Sequence, residues 1–300
     1  MVKKIFLYTI LTAIGIITFI GGLFIFNGLV LADNEKPVSG ITSHPPTFEN
    51  MNSKEIRIMS YNIAKGFIHK GGIKFIDKKT AEKRFNDIAE VIIKENPDIV
   101  FLSEAVFECT PCPVNQIIFL AEKAGMHSWA FGENYNFGLP FYRIVGGNAV
   151  LSKLPIRTVA NPSLSGRKPF YITTNNRRVL WCSLNIRGQD ILAASVHNDS
   201  YNRANNLTQT KQLIDFKGNR AAVMAGDFNA NPGEPSIEFI RNTGELKASF
   251  DGPPTFPSSR AKQKIDFIFV PQEWELISHK VIRTKLSDHY PILSVFRLGA

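Results

Sequence analysis

Polar side chains recur along this chain where buried strands should end, and the fullest instance is Ala221–Pro232, AAVMAGDFNANP. The small apolar run Ala221–Ala225 suits a strand buried on both faces, and Gly226 is expected to let the backbone turn sharply where that strand stops. Asp227 and Asn229, two residues apart in extended chain, then aim an anionic acceptor and an amide donor at one spot. The same pair also suits an Asx-turn capping the next helix. Glu104 directly follows the apolar run Asp98–Ser103, DIVFLS, where a carboxylate is costly unless it is solvated, paired or bound to a cation. His197 ends another apolar run; alone it is an ordinary boundary residue, but it repeats the placement of the others. Asp266 lies among aliphatic neighbours in KIDFIFV and needs a partner, which Ser287-Asp288-His289 supplies as an imidazole oriented by a buried acid.

Strands and helices must carry these groups to one place. Glu55–Tyr61, EIRIMSY, alternates polar and apolar residues and predicts a strand with Asn62 at its end. Helices are expected over Thr80–Lys94, stopped by Asn96-Pro97, over Val114–Ala124, over Asn202–Phe216 and near Pro235–Asn242. Further strands are expected at Ala149–Leu151 after Gly146-Gly147-Asn148, at Lys264–Val270 and at Tyr290–Phe296. Arg177–Ile186 and Ile191–Val196 read as a hairpin around Gly188-Gln189. The order strand, polar residue, helix, strand runs through twice, which implies two similar sheet halves sharing one cleft at their strand ends.

Ahead of this region, Lys3 and Lys4 precede Ile5–Phe26, an almost wholly apolar stretch of roughly 22 residues, or about 33 Å of helix, enough to cross a bilayer. It reads as an uncleaved anchor, with a removed signal cut near Val30-Leu31-Ala32 as the alternative. The flanking charges, with Asp33 and Glu35 after the segment, place the rest of the chain outside the cytoplasm in either case, membrane-anchored or secreted into the periplasm or beyond. Residues 33–53, rich in Pro, Ser, Thr, Asn and Gly, read as a flexible linker, and 54–300 as one large domain. Net charge is +9, from 35 Lys and Arg against 26 Asp and Glu, which suits a polyanion or an anionic membrane surface as well as plain solubility. Cys109 and Cys112 are spaced for a local disulfide in an oxidising compartment, while Cys182 reads as a core thiol.

The ordered set Asn62, Glu104, His197, Asp227-x-Asn229, Asp266 and Asp288-His289 resembles the endonuclease/exonuclease/phosphatase superfamily, which includes DNase I, exonuclease III and sphingomyelinases. Each motif alone is weak; their order over about Ser53–Leu298 carries the resemblance. It implies a four-layered α/β sandwich, two central mixed sheets flanked by helices, and Mg²⁺-dependent cleavage of phosphoester bonds, with Mn²⁺ or Ca²⁺ also served by oxygen ligands. It would assign metal binding to Glu104, with Asn62 and Asp288 nearby, water positioning to Asp227 and Asn229, the oriented histidine to His289 with Asp266, and phosphate contact to His197. Such chemistry is coherent, since a cation, imidazolium and amide donors stabilise charge developing on phosphate oxygens. Ser103 stands where such families often have Gln before the metal-binding Glu. The readings that follow are a nuclease-like phosphodiesterase acting on nucleic acid, or a membrane-proximal phosphodiesterase of sphingomyelinase type acting on phospholipid head groups. A non-catalytic anchored binding protein would require a degenerate metal set. The chain is expected to act as a monomer held to the membrane by its N-terminal helix.

Overall fold

Apolar alternation in the strands is arranged so that each of two sheets buries both of its faces. The computed structural model describes residues 1–32, 35–46, 54–69, 74–174 and 176–299. In chain order the first half contains α1 (Val2–Phe26), β1 (Val38–Ile41), β2 (Glu55–Asn62), α2 (Lys78–Glu95), β3 (Ile99–Cys109), α3 (Gln116–Lys123), β4 (Ser128–Leu139) and β5 (Tyr142–Ser152). The second half follows with β6 (Ile156–Ala160), β7 (Leu180–Ile186), β8 (Gln189–His197), α4 (Arg203–Lys217), β9 (Ala222–Asp227), α5 (Pro235–Thr243) and β10 (Leu246–Lys247). It ends in β11 (Asp266–Pro271), β12 (Glu275–Val281) and β13 (Ile292–Arg297).

Among the described residues one sheet has the order β1-β4-β5-β3-β2-β13-β12 and the other β10-β11-β9-β8-β7-β6. Ile56, Ile58 and Phe101 of the first sheet meet Leu180, Cys182, Val223 and Ile268 of the second, giving the central core. The alternate residues Met59, Tyr61, Val100 and Leu102 face outward and are covered by Phe85, Ile88 and Ile92 of α2 and Ile117 and Leu120 of α3. Trp181, Ala194, Val196 and Met224 are covered in the same way by Leu213 of α4 and Ile237 and Ile240 of α5. The expected four-layered α/β sandwich is therefore the fold, and each fully buried Leu, Ile or Phe contributes about 1.5–3 kcal/mol toward it.

Several boundaries differ from the sequence reading. The strand expected to stop at Ser103 continues to Cys109, because a bulge absorbs Ser103 and Glu104 between the β5 partners of Leu102 and Ala105. Gly226 does not end its strand: β9 runs through it to Asp227, and at φ 149° the glycine brings the two backbones so close that an added Cβ would lie 1.9 Å from the Val196 carbonyl oxygen. Asp266 is the first residue of β11 instead of an interior one. Part of the expected linker, Val38–Ile41, pairs antiparallel with Ser128–Phe131 at a sheet edge; residues 33–34 and 47–53 lie outside the described residues. β4, β6 and β12 were not anticipated, since β4 buries Asn134 and Asn136 and the other two are half exposed. Cys109, Cys112 and Cys182 are buried free thiols.

The apolar helix is 30 residues from Val2 to Leu31 with its final turn widened into π geometry, and its most apolar 18 residues have mean hydropathy 2.3. Its end is seated on the domain. Buried Asn27 donates from Nδ2 to Asn136 Oδ1 at 3.0 Å and to the Gly138 carbonyl at 3.1 Å. Phe24 meets Phe137 edge-to-face and Phe170 at a tilt, both with ring centroids 5.4 Å apart, and Gly28 packs so closely on Phe170 that a Cβ would overlap its ring at 2.0 Å.

The close approach at Gly226 predicts that Gly226→Ala will cost about 1–3 kcal/mol, as overpacking against a backbone that cannot yield does. Urea denaturation measures this, and an unchanged midpoint would contradict the packing described.

Candidate active site

Strand register does most of the work of assembling the site. β8 and β9 run parallel with His197 opposite Asp227, and β11 runs antiparallel to β9 with Asp266 opposite Asp227. Three neighbouring strands thus present His197, Asp227 and Asp266 in one row. In the other sheet, β2 and β3 run parallel with Asn62 opposite Ser103, so Asn62 and Glu104 arrive across the cleft from that row. Glu104 takes φ 54°, a left-handed conformation that costs on the order of 1–3 kcal/mol and turns its side chain from the sheet into the cleft. Ser103, where a Gln was expected from the resemblance, donates from Oγ to the Val196 carbonyl of the opposite sheet at 3.0 Å. Ser195 Oγ returns a bond to the Leu102 carbonyl at 3.1 Å.

All the residues singled out from the sequence come together. Asn62 Nδ2 donates to Asp227 Oδ2 at 3.2 Å and reaches Glu104 Oε1 at 3.5 Å, while its own Oδ1 accepts from the Ala64 N–H at 3.0 Å. Asn62 therefore bridges the two carboxylates. His289 Nδ1 bonds Asp266 Oδ2 at 3.0 Å and its Nε2 lies 3.6 Å from Asp227 Oδ2, the pairing expected from the sequence. The Asx-turn reading also holds locally: the Asn229 N–H donates to Asp227 Oδ1 at 2.9 Å, and Asn229 Nδ2 donates to the Asn198 carbonyl at 3.0 Å. It does not cap the next helix, whose N-cap is Glu234. Asp288 is exposed on the cleft rim, and Ser287 Oγ ties its loop to the Asn62 carbonyl at 2.7 Å.

Two cations in the cleft were not singled out. Lys65 Nζ pairs with Glu104 Oε2, presented by a loop in which Ala64, Lys65, Gly66 and Phe67 all have positive φ. Buried Gln116 fixes that loop, donating to the Lys65 carbonyl at 2.9 Å and accepting from the Val106 N–H at 2.9 Å. Arg177 Nη1 donates to His197 Nδ1 at 3.0 Å, which leaves the ring proton on Nε2, 3.5 Å from Asp227 Oδ2 and 3.9 Å from Glu104 Oε1. Only the glycine after Lys65 and the Arg177-Arg178 pair hinted at them in the sequence, and both hints fit a surface loop equally well.

These contacts separate the charge states of the groups. Burial opposes ionisation of Glu104, but the charge of Lys65, its hydrogen bond and Arg177 outweigh it and hold the carboxyl at about 2. Burial drives His197 well below its ordinary value, helped by Arg177, so the ring is neutral. Burial raises Asp227, with His289 opposing and Asp266 adding to the rise. His289 is raised in spite of burial, because Asp266 and Asp227 face it. One row thus holds a carboxylate with enhanced basicity beside an imidazolium, an arrangement suited to general acid–base work.

The oxygen donors of Glu104 and Asp288 on the wall of a cleft of about 310 Å³ suit a hard divalent cation, and the positive groups gathered around Glu104 show that its place demands positive charge. Ligand atoms of Asp227, Asp266 and His289 also lie within 4.8 Å of one another, but the direct His289–Asp266 bond makes this trio a hydrogen-bonded chain.

The sequence model of the Endonuclease/Exonuclease/phosphatase family matches residues 59–289. No curated protein matches the sequence. Among solved structures, the chain is similar to an endonuclease/exonuclease/phosphatase from Beutenbergia cavernae DSM 12333, with TM-score 0.63 and 19% identity over 83% of this chain and 72% of that one. It is similar as well to a mannosyl-6-phosphatase from Bacteroides thetaiotaomicron VPI-5482, with TM-score 0.59 and 15% identity over 81% and 100%. A humanized D. rerio TDP2 gives TM-score 0.56 and 15% identity over 82% and 100%. At these identities the likeness is one of fold.

Because Asp266 raises His289, Asp266→Asn should move the His289 imidazole titration to lower pH. NMR of the ring carbons measures the midpoint; an unmoved midpoint would separate the two residues electrostatically.

Proposed function

The chain belongs to the endonuclease/exonuclease/phosphatase family, a family of phosphoester hydrolases, and on that premise we propose that it is a divalent-metal-dependent phosphodiesterase working outside the cytoplasm. The observation that carries this reading is the row His197, Asp227, Asp266 facing Glu104 and Asn62, with His289 between the two acids of the row. In the proposed reaction, Arg177 and His197 receive the non-bridging oxygens of the phosphate. Asp227 orients the attacking water and takes its proton, its raised basicity being the property a general base needs near neutral pH. Asn229 and Asn62 hold that carboxylate from its two oxygens, so it need not reorganise as charge shifts. His289, kept protonated by Asp266 and Asp227, stabilises the developing charge. A divalent cation, Mg²⁺ first with Mn²⁺ or Ca²⁺ as substitutes, held by Glu104 and Asp288, would supply Lewis-acid neutralisation of the phosphate. A nucleic-acid strand and a phospholipid head group present the same diester to these residues, so the reaction is defined by the phosphate and not by its substituents. The apolar helix supports a membrane anchor, and Lys3 and Lys4 before it support the outward placement of the catalytic domain.

Two outcomes are expected. Glu104→Gln removes charge and little volume, so Mg²⁺-dependent turnover of bis-p-nitrophenyl phosphate should fall by about 10²–10³-fold, with the circular-dichroism melting curve retained. Undiminished turnover would sink the metal assignment. The rate should rise with pH as Asp227 loses its proton and fall again as His289 loses its own; since Asp266 raises both, Asp266→Asn should displace both limbs toward acid. A pH–rate profile whose limbs stay in place would exclude the row as the acid–base pair.

A further inference from the structure

Beside the polar cleft lies an apolar cavity of about 480 Å³, walled by Ile68, Phe75, Val106, Phe137, Tyr142 and Ile144. Lys65, Tyr135 and Thr173 line both spaces, so they form one continuous depression with a polar and an apolar end. We propose that this depression is an amphiphile site, in which the phosphodiester of a membrane phospholipid lies in the cleft and part of its hydrocarbon fills the cavity. The proposal rests on the hydrolase reading above and names its substrate class.

Three observations converge on it. The cations on the cavity wall are engaged, Lys65 with Glu104 and Arg143 in a two-pronged pair with Glu108 at 2.9 and 2.7 Å, whereas a nucleic-acid strand would need basic groups tracking its backbone. The β4–β5 hairpin that supplies Phe137, Tyr142 and Ile144 is also the seat of the apolar helix, through Asn27 to Asn136 and Gly138 and through Phe24 to Phe137. Around this seat the surface exposes Phe141 at 69%, Tyr142 at 53% and Tyr171 at 55%, with exposed Arg167 and Lys168 beside them. Aromatic side chains and cations next to an apolar helix are the groups that settle at a bilayer interface. The Asn27 bonds and the fit of Gly28 to Phe170 make the joint rigid, which a leader removed on export does not need. Held in this way, the hairpin that walls the cavity stands at the base of the apolar helix.

The test uses the full chain in phosphatidylcholine nanodiscs with Mg²⁺ and a series of p-nitrophenyl alkyl phosphates from methyl to dodecyl. kcat/KM should climb with chain length by up to about fourfold per methylene until the cavity is filled. Ile144→Gln, and the more exposed Tyr142→Ser should the first fail to fold, should flatten that climb while methyl-ester turnover stays within about twofold. In vesicles of phosphatidylcholine with phosphatidylglycerol, Gly28→Leu should unseat the helix from Phe170 and lower lipid hydrolysis roughly tenfold through lost orientation of the still-tethered domain, leaving the methyl ester unaffected. A flat series in the unaltered protein, an equal climb in both variants, or cleavage of plasmid DNA in preference to vesicle lipid would overturn the proposal while leaving the hydrolase intact. Absence of Mg²⁺-dependent methyl-ester turnover would instead bring down the hydrolase reading beneath it.

Discussion

Charge alternation is the constraint on which this structure depends. Glu104, Asp227 and Asp266 are gathered into a largely buried cleft, where three carboxylates alone would repel one another and lose their hydration. Positive groups are interleaved among them: Lys65 and Arg177 on the Glu104 side, and His289 between Asp227 and Asp266. Lys65 and Arg177 are tied further to neutral partners. Gln116 fixes the Lys65 loop and His197 accepts from Arg177, so the cluster is tied to strands on both sides and not only to itself.

The register of the two sheets turns this local balance into a usable geometry. Parallel pairing of β8 with β9 and antiparallel pairing of β9 with β11 align three acid–base groups without any loop having to be positioned. The bulge in β3 completes the set. Its left-handed Glu104 is strained because the side chain must leave the sheet on the cleft side, and the strain is borne by a strand buried on both faces.

Much of the site was legible because each acid or imidazole borders an apolar run, Glu104, His197 and Asp227 after one and Asp266 and His289 before one, so burial and polarity conflict at a visible place in the sequence. Asp266 and His289 could be paired for that reason alone. Lys65 and Arg177 could not be found in this way: a lysine before a glycine and one arginine of a basic pair look solvated until folding places anions opposite them. The fold was legible in its central strands and in helices such as α2, where a single apolar face recurs, and less so in α4, whose buried side is mostly Asn206, Gln209 and Thr210. It failed at β4, whose buried Asn134 and Asn136 break the apolar pattern, and at β1, whose position comes from edge pairing with β4 and not from its own composition. Glu104 was recognised, but its strand was cut short there because a carboxylate within a strand has no signal distinguishing a bulge from an end.

The paired hydroxyl bonds beneath the cleft have a mechanical meaning. Ser103 to Val196 and Ser195 to Leu102 cross between the sheets in opposite directions, like two bolts driven from opposite sides of a joint. Sliding one sheet over the other would break both at once, and each sheet carries part of the reactive groups. Both bonds resist opening of the two halves as jaws. Any adjustment to substrates of different size falls to the rim, so changes that broaden or narrow the range of accepted molecules are to be sought in the loops, with the floor acting as a fixed anvil.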